Sequence, residues 1–300
     1  MNLQENHSGE RTIKETAVRV AHEVFGETAD WCSLKKGMTN RSFVFTAGGE
    51  RYIIRVPGEG TEWLINRKQE AEVYKTISGR GFCDDPVYLS PETGIKITKF
   101  LEHARTCEAD DENDLRSCMA LLKKLHTMKF QVPHTFDLYR QIDFYESLWD
   151  GKGSIYSDYA ETKAKVFSLK SFIETHITSV CLSHIDAVPD NFLICGEDIQ
   201  LTDWEYSGMQ DPHIDIAMFC VYNDWTKEDV DRLIDIYFDG ECSQATRVKI
   251  YCYISACGLL WSNWCEFKRH LEVEFGEYAL RQYQYATDYY RIAVQEMKKL

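Results

Sequence analysis

Several features are missing from this sequence, and each absence removes a class of function. Of the 11 cysteines in 300 residues, none stands in a C-x-x-C pair, and their scatter fits no zinc pattern. The number is odd, and Cys252 and Cys257 lie inside the apolar run IYCYISACGLL. They read as buried free thiols of a protein in a reducing cytosol. No long hydrophobic run is present either. The longest apolar window, Ile250 to Trp264, is broken by Ser255, Gly258, Ser262 and Asn263 and is too short to span a bilayer. The opening residues MNLQENHSGERTIKE lack the apolar core of a secretory signal, so a cytoplasmic protein is expected. Positive charge is short: 34 Lys and Arg against 48 Asp and Glu give a formal net charge of −14. Such a chain repels phosphate backbones and anionic lipid, so nucleic acid is not an expected partner. A small cation meets no such repulsion. No internal repeat or low-complexity tract occurs.

Apolar residues make up 44% of the chain, enough for a sizeable core. In the first hundred residues, helical and strand patterns alternate. IKETAVRVAHEVFG has helical spacing and stops at Gly26. SFVFTAGGERYIIRVPG reads as a hairpin around AGGE, TEWLINRKQEAEVYKTIS as a helix, and PVYLSPETGIKITKFLEH as a second hairpin turning at Pro91–Gly94. Helical patterns then dominate. The acidic run CEADDEND reads as a solvated helix start, followed by a buried stripe at Leu115, Met119, Leu122 and Leu125. Short strands interrupt at VCLSHID, NFLIC and IQLTD, and two aromatic-rich helices close the chain. The pattern predicts an α+β protein with a β-rich N-terminal lobe over 1–102 and a larger, mainly helical lobe over 103–300. A cleft between two such lobes is a natural ligand site.

LSHIDAVPDNFL, followed by LTDWEYSGMQDP, packs polar groups between apolar runs. Such groups cost desolvation unless they bind something. His184, Asp186 and Asn191 fit H-x-D-x-x-x-x-N, and Asp203 follows on the next strand, the order of a kinase catalytic loop and its metal-binding aspartate. A hydroxyl attacking the γ-phosphoryl of ATP needs its proton accepted, and Asp186 is placed for that. Mg²⁺ needs oxygen ligands, which Asn191 and Asp203 supply from matching ends of paired strands. Glu205 projects to the side of Asp203 if the strand continues, toward metal or substrate. The bland alternative is a polar hairpin with satisfied side chains, and a lone H-x-D would leave it ahead.

A kinase also needs a phosphate-covering loop, a basic residue on a strand and an acid on the next helix. KKGMTNRSFVF is the candidate loop; it offers Thr39, Asn40 and Arg41 but is not G-x-G-x-x-G. Arg55 in YIIRVPG stands where V-A-I-K has lysine, with Glu70 as its candidate partner and Glu72 as the alternative. Each signal is weak alone; their order relative to Asp186 joins them. The missing glycine loop and A-P-E segment argue against a protein kinase.

With these residues in view, the chain resembles the choline/ethanolamine kinase family, within the aminoglycoside-phosphotransferase-like small-molecule kinases. KGMTNRSF, YIIRVPG, INRKQE, ITKFLEHA, LKKLH, SHIDAVPDNFL and TDWEYSGMQDPHIDIAMF carry the likeness, from residue 36 to 219. The resemblance implies a bilobal protein-kinase-like fold with ATP and Mg²⁺ between the lobes, and phosphoryl transfer to an amino alcohol. It implies Asp186 as catalytic base, Asn191 and Asp203 as metal ligands, and Arg55 with Glu70 as the phosphate-positioning pair. It implies that Lys99 to Ala104, Leu101 included, is the hinge that meets adenine. WSNW matches a W-x-x-W of the choline pocket, so Tyr206, Trp261, Trp264 and Tyr285 are its expected aromatics. Periodicity alone reads the two tryptophans as core. One position departs: Val221 stands near where the animal enzymes carry an acid facing choline. The expected acceptor is choline. Ethanolamine, thiamine or an aminoglycoside are the alternatives in the same chemistry, and an inactive nucleotide-binding regulator is the non-enzyme alternative.

Overall fold

The structure, a computed structural model, describes residues 3–34, 40–58, 61 and 63–300, with side chains from residue 11 onward. The chain forms two compact units, Met1–Arg105 with Leu193–Tyr206, and Thr106–Phe192 with Ser207–Leu300.

In the first unit, helix α1 (Leu3–Phe25) precedes strands β1 (Ala29–Ser33), β2 (Asn40–Ala47) and β3 (Glu50–Pro57). Gly48 and Gly49 turn between β2 and β3 with φ of 57° and 83°. Two successive positive φ values make the tight turn whose twist matches paired strands, and they explain the AGGE signal. Helix α2 (Arg67–Ile77) follows, then β4 (Pro86–Leu89) and β5 (Lys96–Lys99), completing an antiparallel sheet of order β1-β2-β3-β5-β4. Alternation along β3 splits its residues between faces. Ile54 and Val56 join Phe43, Phe45 and Ile97 against Ala17, Val20 and Ala21 of α1. Arg55 takes the opposite face with Lys96, its direct cross-strand partner, and both are buried. Helix α2 is shorter than its pattern, which began at Thr61. The N–H groups of Leu64 and Ile65 both bond the Thr61 carbonyl at 3.0 Å, closing a turn first. Asn66 then caps the helix by accepting from Gln69 N–H.

Strand β6 (Arg105–Thr106) leads to α3 (Glu112–Thr127), α4 (Leu138–Ser147), α5 (Tyr159–Ser168) and α6 (Lys170–Thr175). Asp111 caps α3, as the acidic run suggests, but Asp114 is buried, accepting from the Glu108 N–H at 2.9 Å. Strand β7 (Cys181–Ser183) is followed by a 3₁₀ turn (Pro189–Asn191), β8 (Phe192–Cys195), β9 (Asp198–Leu201) and β10 (Gly208–Gln210). Strand β7 pairs with β10, while β8 and β9 are neighbours in a sheet of order β6-β8-β9. The chain ends with α7 (His213–Tyr222), α8 (Lys227–Phe238), α9 (Gln244–His270) and α10 (Glu277–Met297). Among the described residues, no helix is long and apolar enough to cross a membrane.

Helix α9 is the axis of the second unit and is buried continuously from Val248 to Lys268. It passes close to α10 at Gly258. A Cβ there would lie 2.7 Å from the Gln282 carbonyl oxygen and 2.8 Å from the Ala286 nitrogen. Those are backbone atoms, so relief requires the helices to part. Gly258→Ala is therefore expected to destabilise by about 1–3 kcal/mol, the range of core overpacking, despite alanine's higher helix propensity. Urea unfolding of the two proteins checks this, and an equal or higher midpoint for the variant refutes the close-approach account.

Candidate active site

The candidate residues fall into two groups, one in each unit. In the second unit the loop after β7 is fixed by a single buried carboxylate. Asp215, in the first turn of α7, accepts the His184 N–H at 2.9 Å and the Ile185 N–H at 2.7 Å, one on each oxygen. Ile185 has φ +71°, unfavourable for a β-branched residue, and these two bonds hold it there. His126 Nε2 lies 2.9 Å from the same Asp215, and Tyr237 lies 2.8 Å from His126 Nδ1. His184 itself is fully buried, and its carbonyl accepts from Ser207 Oγ at 3.1 Å. The loop thus leaves the core at Asp186, which is half-buried. Asn191 Nδ2 bonds the Asp186 carbonyl at 2.8 Å and its carboxylate at 3.2 Å. With its amide nitrogen so used, the Asn191 oxygen is the end that would meet a cation.

The first unit holds a buried charge cluster. Arg55 Nη2 donates to Glu70 Oε1 at 2.5 Å and to the Gly94 carbonyl at 3.1 Å, while Nη1 reaches Asp203 Oδ1 at 2.7 Å. Glu70, not Glu72, is therefore the arginine's partner; Glu72 faces outward toward Lys75 at 3.5 Å. A second guanidinium, which the sequence reading passed over, completes the set. Arg67 Nη1 donates to Glu70 Oε2 at 3.1 Å and to Glu205 Oε2 at 2.9 Å, and Nη2 reaches Thr61 Oγ1 at 3.2 Å. Asn40 Nδ2 adds a 3.3 Å bond to Glu205. Gly94, at φ +71°, is needed for close approach as well as for conformation: a Cβ there would lie 2.4 Å from Arg67 Cδ.

Burial opposes charge on Arg55, but Glu70, Asp203 and Glu205 outweigh it and hold the guanidinium well above its ordinary pKa. Burial also lifts the Glu205 carboxyl to about 7, with Asp203 adding to the rise and Arg55 and Arg67 resisting it. Strand β9 stops at Leu201, so simple alternation does not carry Glu205 to the side of Asp203. The left-handed turn at Asp203, φ +66°, does so instead. One oxygen from each of Glu70, Asp203 and Glu205 lies within 4.8 Å of the others. Two guanidiniums face three carboxylates, leaving net negative charge. An all-oxygen, net-anionic set suits Mg²⁺, and Asp203 is the most exposed of the three, at 27%.

The aromatic candidates divide. Trp261 and Trp264 share a face of α9, with ring centroids 6.1 Å apart and planes at 84°. Trp261 Nε1 donates to Met218 Sδ at 3.2 Å, while the buried Trp264 N–H has no partner among the described residues. From Trp264 the series continues through Phe275 at 5.0 Å, Tyr278 at 6.3 Å and Tyr222 at 6.3 Å. Tyr222 donates to Asp190 at 2.5 Å, in the loop that carries Asp186. Burial raises the Tyr278 pKa, and the Cys265 thiol and the Asp186 carboxylate add to the rise. Tyr222, Phe275 and Tyr278 went unread because no spacing links them to WSNW. Tyr285 Oη is engaged with backbone, donating to the Asn223 carbonyl at 2.5 Å and accepting from Trp225 N–H at 3.1 Å. Val221 is core, its carbonyl bonded by Gln282 at 2.7 Å.

Tyr206 is half-buried at the end of the first unit. Lys99 is exposed at the end of β5, 3.7 Å from Glu50, and Leu101 is half-buried, its carbonyl accepting from Ala104 N–H at 3.4 Å. Arg41 donates to the Asn40 carbonyl at 3.2 Å. Thr39 lies outside the described residues.

Known proteins are similar to this chain in sequence and in fold. The sequence model of the choline/ethanolamine kinase family matches residues 32–234. Protein LicA of Haemophilus influenzae is 28% identical over 263 residues, covering 81% of this chain and 95% of that protein. The crystal structure of choline kinase LicA from Streptococcus pneumoniae superposes with a TM-score of 0.79 at 26% identity, covering 96% of this chain and 99% of that one. A structure of LicA in complex with AMP gives 0.80 at 26% identity, covering 94% and 99%. The fold is protein-kinase-like, with an antiparallel sheet toward the N-terminus and a mainly helical remainder. With most of its length matched by the family's own sequence pattern, the chain belongs to the choline/ethanolamine kinase family.

Proposed function

We propose that this protein phosphorylates choline, transferring the γ-phosphoryl group of ATP to the alcohol hydroxyl. Family membership supports the reaction type. The observation that carries the choice of acceptor is the aromatic series from Trp261 through Trp264, Phe275 and Tyr278 to Tyr222, whose hydroxyl bonds Asp190 in the loop that carries Asp186. A quaternary ammonium cannot donate a hydrogen bond and is held by aromatic faces. Tyr206 and Tyr285 complete the proposed lining.

In this reading Asp186 accepts the hydroxyl proton, and Asn191 orients its carboxylate. His184 acts through the backbone that Asp215 grips. Arg55, fixed by Glu70, positions phosphate. Thr39, Asn40 and Arg41 belong to the loop over the phosphates, and Lys99 and Leu101 to the segment beside adenine. Asn191, Asp203 and Glu205 would hold Mg²⁺, which when bound neutralises charge on the triphosphate. A cytoplasmic setting is part of the proposal, supported by eleven cysteines that are all free thiols and mostly buried.

Two measurements test it. Asp186→Asn keeps the shape and removes the proton acceptor. It should lower kcat by about 10²–10⁴-fold while nucleotide still binds; near-normal turnover would falsify the base assignment. Trp261→Leu and Trp264→Leu each keep apolar bulk and remove a π face worth about 0.5–2 kcal/mol. The KM for choline should rise roughly two- to thirtyfold, far more than the KM for ATP, and the penalty should shrink from choline through dimethylethanolamine to ethanolamine. If both tryptophans serve only as core, the variants lose thermal stability and the two KM values move together or not at all.

A further inference from the structure

Arg55 is not the only buried cation on its sheet face. Lys96 stands directly across from it in the β3–β5 pair and is equally enclosed, at 4% exposure. Two like charges side by side persist there because each has its own carboxylate. The partner of Lys96 is Asp84, with Nζ 2.6 Å from Oδ2, and no step described above uses it. Asp84 has further partners. Its Oδ1 accepts the Tyr74 hydroxyl at 2.8 Å, and its Oδ2 also accepts Thr202 Oγ1 at 2.9 Å. The Lys96 ammonium also bonds the Tyr74 hydroxyl and sits 4.6 Å from that ring's centroid.

The locations of these partners give the cluster its meaning. Tyr74 is one turn beyond Glu70 on α2. Lys96 is cross-strand from Arg55. Thr202 immediately precedes Asp203. Main-chain contacts run alongside: Leu201 N–H bonds the Phe82 carbonyl at 2.8 Å, and Cys83 and Leu201 form a parallel bridge. Asp203 itself sits at φ +66°, in the left-handed region, which is uncommon for a residue with a Cβ and which Asp enters more readily than most.

We propose that Asp84 is a positioning residue for phosphoryl transfer. By gripping the Thr202 hydroxyl it fixes the backbone that turns left-handed at Asp203, and so sets where the Asp203 carboxylate points. Through Tyr74 and Lys96 the same carboxylate ties that turn to the helix bearing Glu70 and to the strand beside Arg55. The inference rests on the reading of Asp203 as a metal ligand.

The test uses the full-length protein and compares affinity for a non-hydrolysable ATP analogue with and without Mn²⁺, by calorimetry. The metal-dependent gain in affinity reports the Asp203 carboxylate without turnover. Thr202→Val removes the hydroxyl, Thr202→Ser keeps it, and Tyr74→Phe removes another donor to Asp84 from a different element. Asp84 is not itself substituted, because that strands the buried Lys96 charge and endangers the fold. Loss of one hydrogen bond predicts a two- to tenfold smaller metal-dependent gain, from about 0.5–1.5 kcal/mol. That loss is expected in Thr202→Val, with wild-type behaviour in Thr202→Ser, a loss in the same direction in Tyr74→Phe, and an unchanged KM for choline. Asp203→Ala is the reference. If it keeps the full metal-dependent gain, both the ligand assignment and this inference fall. If it loses the gain while Thr202→Val and Tyr74→Phe keep it, only the inference is overturned. Equal losses in Thr202→Val and Thr202→Ser overturn it too, as does a lowered melting temperature with the gain intact.

Discussion

The first unit is organised around one side chain, the Arg55 guanidinium. It is enclosed, and an isolated charge there would cost far more than a domain's net stability. It is tolerated because Glu70 and Asp203 meet separate nitrogens and the Gly94 carbonyl takes a third bond. Each contact comes from a different element, so the arginine fixes α2, the β4–β5 turn and the segment after β9 relative to β3. The strand's alternation put it there: Ile54 and Val56 face α1, which leaves Arg55 on the other face. Removing one partner of such a set costs about 3–5 kcal/mol, because the remaining charge is stranded. These bonds fix the guanidinium at the place where the proposed reading has it position phosphate. The charge is also unbalanced by design of the sequence, with two arginines for three carboxylates. Burial lifts Glu205 to about 7 and the neighbouring Asp203 adds to the rise; a divalent cation bound there would favour its ionised form.

In the second unit the corresponding constraint is Asp215. Its two oxygens take two successive N–H groups and so hold Ile185 in a backbone state it would not choose. This is strain used locally: it turns the chain out of β7 so that Asp186 emerges while His184 stays inside. The carboxylate proposed as the base and the carboxylate that shapes the loop have opposite environments. Asp186 is half-buried, and Asp215 is fully enclosed with His126 beside it.

Local pattern made much of this readable. The AGGE turn, the second hairpin at Pro91–Gly94, the stripe of α3 and the two closing helices follow from periodicity and turn chemistry, and the structure contains them all. H-x-D-x-x-x-x-N placed Asp186 and Asn191, and a strand arginine ahead of a helix glutamate placed Arg55 and Glu70. What stayed hidden is non-local. Arg67 looks like an ordinary first-turn residue in INRKQE, and its bond to Glu205 spans 138 positions. Lys96 looks like a solvated strand lysine until Asp84, Tyr74 and Thr202 are seen around it. The bond from Asn40 to Glu205 spans 165 positions. The partner of β7 is also non-local: it is β10, beyond a whole hairpin.

The acceptor's nature follows from which polar groups in the second unit are already committed. A primary ammonium needs acceptor oxygens for three N–H donors. The carboxylates that flank the aromatic series are engaged: Asp190 with the Tyr222 hydroxyl, and Glu266 with Arg269, Ser154 Oγ and the Ile155 N–H. What the series offers is ring surface, with Trp261 and Trp264 edge to face, Lys268 Nζ 5.4 Å from the Trp264 ring centroid, and the buried Trp264 N–H without a partner among the described residues. A trimethylammonium group needs no hydrogen-bond acceptor and gains from diffuse negative potential on several rings at once. An ethanolamine head would leave donors unsatisfied against the same walls, and unsatisfied donors are what a dry site rejects most strongly. The proposed preference for choline thus rests on the ring surface of the series together with the engagement of Asp190 and Glu266 by groups of the protein itself.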